Sequence, residues 1–203
     1  MRTDRDRWRW WRGLAAALVL AATLPGAAQS QTRPAGEFQL RIEGAFLVNF
    51  VRYTDWPTQR FESVSSPYVV TVVGDEEAAD TIAAVASAAG VIRGRRIVVR
   101  RVRFDARTPP GERREAIHRL RASHLVFIAG GGDADARLVL RALQGAPVLT
   151  VSDVPGFAAG GGMLGLVRSG STLAIEANPE AIRESGVSVS AKVLKLARLW
   201  GGP

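Results

Sequence analysis

The sequence predicts a doubly wound α/β fold, with a mostly parallel sheet, helices on both faces and a C-terminal antiparallel hairpin at one edge. Two features of the pattern carry this expectation. Between Tyr68 and Val151, short apolar and β-branched runs alternate with helical segments, and such a succession calls for parallel strands joined by right-handed crossovers. Beyond Val151 the rhythm changes: Met163 to Val167 and Thr172 to Ala177 are two short runs around the turn pair Ser169-Gly170, which is how a hairpin reads.

Each element can be justified in turn. From Glu37 the apolar residues Phe38, Ile42, Ala45, Phe46, Phe50 and Tyr53 recur at helical spacing. Trp56-Pro57 closes that segment, because proline disfavours α geometry in the residue before it. Tyr68 to Val73 reads as a buried strand ended by Gly74-Asp75, and Glu76 to Ala89 as the helix it feeds. Arg96 to Phe104, β-branched at Ile97, Val98, Val99 and Val102, is a second strand with a basic edge. After Pro109-Pro110, Gly111 to Arg121 is a charged helix. His124 to Ala129 is a third strand, Asp133 to Leu143 a helix and Pro147 to Val151 a fourth strand. Val189 to Trp200 is expected to close the chain as a helix, with Val189, Val193, Leu196 and Trp200 on one face.

Residues 1–28 carry the three parts of a secretory signal peptide in order. Arg2, Arg5, Arg7, Arg9 and Arg12 form a basic leader, Gly13 to Leu24 an apolar run, and Pro25-Gly26-Ala27-Ala28 a small-residue cleavage region. The run is shorter than the about 20 residues a membrane span needs, and no Arg-Arg pair marks the twin-arginine route. The expectation is therefore export to the periplasm by the general secretory route, with cleavage near Ala28. Residues 29–36, polar and containing Pro34, read as a flexible lead-in, and 37–203 as a single α/β domain with one sizeable core.

Charge is unevenly spread. The leader supplies +3 of the formal +8, while Arg93 to Arg121 holds eleven arginines against Asp105, Glu112 and Glu115. Export excludes nucleic acid as a partner, which leaves an acidic protein or anionic lipid headgroups beside plain solvation of a strand edge and a helix. With no cysteine the chain has no disulfide and no thiolate ligand, and His118 and His124 are not spaced i, i+4, so no metal and no cofactor is expected.

Several motifs invite catalytic readings. Gly160 to Gly165 spells G-x-G-x-x-G, but a strand follows it where a dinucleotide site needs a helix. Gly130-Gly131-Gly132 lies between strand and helix, where backbone N–H groups could cradle an anion, yet it lacks a following Lys-Ser or Lys-Thr. There is no G-x-S-x-G elbow. Asp153 opens Val154-Pro155-Gly156-Phe157 and reads either as a turn former or as a carboxylate at the strand ends. In the second reading Asp75, Gly130 and Asp153 would line a small-ligand pocket, or Asp153 would pair with His124 in a hydrolase. Phe157, Met163 and Leu164 flank a triple glycine, either as exposed apolar contacts or as cover for the sheet edge.

Four ordered blocks then carry a resemblance. They are Ala45-Phe46-Leu47-Val48-Asn49-Phe50-Val51-Arg52-Tyr53-Thr54-Asp55-Trp56-Pro57, Pro147-Val148-Leu149-Thr150-Val151-Ser152-Asp153-Val154-Pro155-Gly156-Phe157, Gly161-Gly162-Met163, and Ser190-Ala191-Lys192-Val193-Leu194-Lys195-Leu196-Ala197-Arg198. Together they resemble the hallmarks of YfiR-like periplasmic proteins across the whole exported part of the chain. The resemblance implies a repressor that is not an enzyme. It would dock on the periplasmic domain of an inner-membrane diguanylate cyclase, lower cyclic-di-GMP output and restrain biofilm formation. An outer-membrane, peptidoglycan-associated lipoprotein would draw it away. A membrane sensor kinase served by a small-ligand module is the alternative partner, and a homodimer is open to proteins of this type. One departure matters: Ser123 stands before His124 where relatives often place Cys, so thiol redox control has no residue to act on here.

On this reading the partner surface comprises Asp153, Phe157, Gly161, Gly162, Met163, Leu164 and Arg168, with Arg95, Arg96, Arg100, Arg101 and Arg103 as a basic steering edge. Mass spectrometry of the chain purified from the periplasm should place its first residue within two positions of Gln29. Recovery from the cytosol with the leader intact would overturn the export reading.

Overall fold

The computed structural model describes residues 35–74, 76–169 and 172–201. All of them belong to the compact unit Arg33–Pro203, and the leader expected over 1–28 lies outside the described residues. Helix α1 spans Ala35–Arg52, so residues 35 and 36 of the expected flexible lead-in are already helical. The helix also ends earlier than the proline alone implied. Tyr53 turns, and Thr54–Asp55 (β1) pairs antiparallel with Ser188–Val189 (β9) in a small separate sheet.

The main sheet is built around Tyr68–Val73 (β2), whose six residues are all buried. Arg95–Val102 (β4) and Leu125–Ile128 (β5) flank it on either side, both parallel to it. Leu149–Ser152 (β6) follows outside β5, then Leu164–Ser169 (β7) and Thr172–Ala177 (β8). With Val91–Ile92 (β3) and Ala197–Leu199 (β10) at the rims, the strand order is β10-β8-β7-β6-β5-β2-β4-β3. Between β4 and β5 the chain returns to the other side of β2, so the direction of winding reverses there. Right-handed crossovers on opposite sides of the reversal place their helices on opposite faces.

The packing bears this out. On one face Leu47, Phe50 and Val51 of α1 and Ile82 and Ala86 of Glu76–Ala88 (α2) cover Val70, Val72, Phe127, Leu149 and Val151. On the other, Ala116 and Leu120 of Pro110–Arg121 (α3) and Ala136, Val139 and Leu143 of Asp133–Leu143 (α4) cover Val73, Val126, Ile128 and Val148. The doubly wound α/β architecture is thus the observed one, with strands buried on both faces as continuous apolar runs require.

Three local readings change. The buried stripe of α1 runs through Glu43, Gly44, Leu47, Phe50 and Val51, while Phe38 is 66% exposed and Ala45 and Tyr53 also face outward. Gly44 sets this rotation: a Cβ there would stand 3.1 Å from Cβ of Val85 on α2, so the helix pair closes on its glycine. Second, the C-terminal helix expected over 189–200 is replaced by a four-residue helix, Ala191–Leu194 (α6), capped by the Ser190 side chain, and then by β10. Ladder pairing of Ala197, Arg198 and Leu199 with Ile175, Glu176 and Ala177 satisfies an otherwise bare β8 edge, and this outweighs helical periodicity. The hairpin β7–β8 therefore sits one strand inside the rim. Third, Pro179–Ser185 (α5) was not foreseen, although Asn178-Pro179 is an N-cap followed by a proline at the first turn and Gly186 closes it at φ 78°.

Strands β6 and β7 are parallel neighbours joined without a helix. Val154 to Gly161 turns back on itself, with Gly160 N–H donating to Gly156 O and Gly162 N–H to Phe157 O. Phe157 is buried in the α3/α4 core and pins the turn to the sheet. Gly162 makes room for it, since a Cβ there would lie 2.2 Å from the Phe157 ring. Gly162→Ala should therefore cost about 1–3 kcal/mol in chemical denaturation, by expelling the ring from its seat. An unchanged unfolding midpoint would show that the ring does not anchor the crossover.

Candidate functional site

The carboxyl ends of β5 and β6 lie side by side, and there Asp153 Oδ1 accepts the Gly130 N–H at 2.7 Å. Beneath α1, Glu43 is fully buried and its Oε1 accepts a hydrogen bond from Gln39 Nε2 at 2.8 Å. Gln39 Oε1 in turn accepts from Arg168, which projects from β7. Burial is the main force on both acids and raises each carboxyl above its ordinary range; for Glu43 the Gln39 hydrogen bond opposes this and the charge of Asp153 adds to it. Glu43 Oε2 has no hydrogen-bond partner among the described residues. One set of hydrogen bonds thus joins the end of β6 to the triple-glycine loop and another joins α1 to β7, with the charge of Asp153 acting on Glu43 between them.

The expected pocket at this end is only partly built. Asp75 lies outside the described residues. Gly74 is pressed against Ala129, where a Cβ would meet the alanine Cβ at 3.0 Å, so the floor between β2 and β5 is closed. An open crevice of about 290 Å³ lies elsewhere, between α4 and α5, lined by Leu140, Arg141, Thr150, Gly161, Met163 and Glu184 among others.

The apolar contacts of the glycine-rich block are also relocated. Phe157, Met163 and Leu164 are all in the core, at 4%, 8% and 0% exposure, so the packed alternative holds for them. Gly162 is buried with Phe157, whereas Pro155, Gly156, Ala159, Gly160 and Gly161 form the exposed crest of the turn. Arg168 is exposed and Asp153 half-buried.

The basic edge divides into two groups. Arg95 donates to the carbonyls of Ser63 and Ser66 at 2.9 and 2.6 Å and lies over the Phe61 ring at 4.0 Å. Arg101 donates to Gly74 O at 3.2 Å. These two are occupied in holding loops. Arg96, Arg100 and Arg103 are exposed and engage no described residue.

At the opposite, amino-terminal end of the strands, His124 replaces a ladder acceptor. Its Nδ1 accepts the Val69 N–H at 3.0 Å, its own N–H reaches Val69 O, and its carbonyl accepts from Trp56 Nε1 at 2.8 Å. Trp56, Phe61 and Tyr68 pack around the ring. Burial, assisted by the nearby Arg60 charge, pushes its pKa down to about 4. A protonated ring would also turn an N–H toward the Val69 N–H, which the fold forbids. Asp153 lies five residues further along the strand direction from the level of His124, roughly 16 Å away, so the two form no hydrolytic pair. Ser123, beside it, is fully buried, shares a 2.7 Å hydrogen bond with Thr71 Oγ1 and donates to Arg119 O. Glu43, Gln39 and the Trp56–His124 cluster escaped sequence reading, because nothing in a single polar residue on a helical stripe distinguishes a buried position from a solvated one.

The two buried groups act in opposite directions with pH. His124 titrates near 6.5 when unfolded and about 4 when folded, so its contribution is complete above pH 6.5. It is lost as pH falls toward 4, by roughly 3 kcal/mol at most. Glu43, raised in the fold, contributes fully below 4.5 and loses that contribution as pH rises through its folded value. Denaturant titrations across pH should show that His124→Gln flattens the acid limb, and that the advantage of Glu43→Gln over the parent grows from pH 4 to pH 7. Parallel curves for parent and variants would rule out both assignments.

Comparison with known proteins bears on the family and the fold. The YfiR/HmsC-like family model matches residues 40–198. Among solved structures, an ABC domain in complex with L-Trp from Streptococcus pneumonia aligns at a TM-score of 0.51 and 13% identity, over 75% of this chain and 58% of that one. At that identity the likeness concerns the α/β fold, and this chain spans less than two thirds of that protein. The family match takes in α1 from Leu40 onward, the main sheet as far as Arg198 of β10 and both glycine-rich turns, and on that basis the chain belongs to the YfiR/HmsC-like family.

Proposed function

We propose that this chain is a periplasmic regulator that represses a membrane-bound diguanylate cyclase by docking on its periplasmic domain, with export by the leader over 1–28. Family membership supports the reading, since the family is regulatory. The observation that carries it in the structure is the separation of its ionisable groups. The buried Glu43 and the half-buried Asp153 sit at one end of the sheet and the buried His124 at the other, each held by the fold's own hydrogen bonds, while the side chains of Arg96, Arg100 and Arg103 face outward without a partner among the described residues. An edge of exposed, unengaged arginines, with Asp153 and His124 held at opposite ends of the sheet, suits recognition better than turnover. The exposed crest around Gly161, together with Arg168 and Asp153, would form a second contact region. A peptidoglycan-associated lipoprotein competing for the same surface would relieve repression.

The α4/α5 crevice, with Arg141 and Glu184 at its margin, favours a second reading in which a small ligand sets the docking state and a sensor kinase is the target. Both are read in one experiment. Added to the periplasmic side of vesicles carrying the cyclase of the same cell, the chain should lower cyclic-di-GMP synthesis several-fold, and raised salt should weaken the effect. Repression appearing only when an amino acid or small anion is also present would favour the second reading, and no change in synthesis at low salt under either condition would sink the first.

A further inference from the structure

Strand β4 is eight residues long and is paired along its inner side with β2 from Ile97 to Val102. On its outer side β3 covers only Arg95 and Arg96, through the tight turn at Arg93-Gly94. From Ile97 onward no described strand lies there. A strand paired on one side leaves the N–H and C=O groups of alternate residues without ladder partners, here over about 20 Å. The opposite rim offers less, since β10 is three residues long.

The charged side chains along this open rim are all arginine. Arg96, Val98 and Arg100 share an exposed face of β4, with Val98 38% exposed, and Arg103 follows just beyond the strand. None of the three arginines is engaged by a described residue, in contrast to Arg95 and Arg101. Pairing with a second copy would set arginine against arginine across the new ladder, and like charges directly opposite each other are unfavourable. A neutral strand would gain nothing from them. An incoming strand with carboxylates at alternate positions would place them beside Arg96 and Arg100, while its intervening apolar side chains met the half-covered Ile97 and Val99. The charges that keep this edge from self-association are thus the ones that would select its partner.

We propose that the outer edge of β4 takes up an extended acidic segment of a partner protein as an additional strand. This deepens the docking reading given above and rests on it for the partner's identity.

The test uses the full exported chain and a fluorescent octapeptide alternating glutamate and valine. Its controls are the lysine–valine counterpart, a glutamate–valine peptide N-methylated at alternate amides, and phosphatidylglycerol vesicles. Binding of the acidic peptide, loss of at least tenfold on N-methylation and on Arg96→Glu with Arg100→Glu, and new hydrogen-exchange protection confined to 97–102 are the expected results. Equal binding of the N-methylated peptide, protection at another surface, or a preference for vesicles over peptide would each overturn the proposal. The charge-reversed variant should keep the parent's unfolding midpoint, because neither arginine's side chain has a partner among the described residues. Should that variant still repress the cyclase in vesicles, the edge is not the docking site and the repressor reading survives. Should the parent take up the peptide at 97–102 and yet repress no cyclase, the repressor reading alone is lost.

Discussion

Complete burial of two adjacent parallel strands is the constraint on which the rest of this molecule depends. The six residues of β2 and the four of β5 include no exposed position, so both faces of the sheet must be roofed. The chain meets that need by winding outward through α2 to β4, returning over β2, and continuing through α3 and α4 in the other direction. Everything functional is placed by this reversal. It leaves β4 as the strand farthest along the first half, with only a two-residue β3 beyond it, and it brings the ends of β5 and β6 together where Asp153 meets the triple-glycine loop.

Arginine serves two purposes in this chain, and the structure separates them. Arg60, Arg95, Arg113 and Arg121 spend their guanidinium donors on backbone carbonyls of neighbouring loops and helix ends. In a protein without disulfides such multi-donor clamps fix segments that have little apolar surface of their own. The remaining arginines of β4 have no such duty. Their exposure beside an incompletely paired strand gives the surface a chemical preference that charge counting alone could not localise.

Buried polar groups mark where the fold accepts a cost. Glu43 and His124 stand at opposite ends of the sheet, each held by the backbone or by one neutral side chain and neither by a close counter-ion. Both are shifted toward their uncharged forms: at Glu43 desolvation, joined by the charge of Asp153, outweighs the Gln39 hydrogen bond and the field of Arg168, and at His124 the field of Arg60 acts in the same sense as burial. The Gln39 bridge links Glu43 on α1 to Arg168 on β7. It makes the seating of α1 dependent on the protonation of a group that solvent does not reach.

The sequence by itself determined the doubly wound class and most of its elements, because apolar runs long enough for a strand and stripes at helical spacing can each be buried in only one way. It also singled out the glycine-rich block after Asp153, the basic strand and, through four ordered blocks, the family. Tertiary structure decided the rest. Helical spacing at Val189, Val193, Leu196 and Trp200 lost to the bare edge of β8, which offers backbone partners that no periodicity reports. The α1 stripe turned away from Phe38 and Tyr53 because Gly44 had to meet Val85. Phe157 went inward because Gly162 leaves a ring-sized space, and the five arginines on and just beyond β4 divided into clamps and free charges according to which carbonyls folding brought within reach. Long-range contact set each of these outcomes, and local sequence carries no record of which distant segment will arrive.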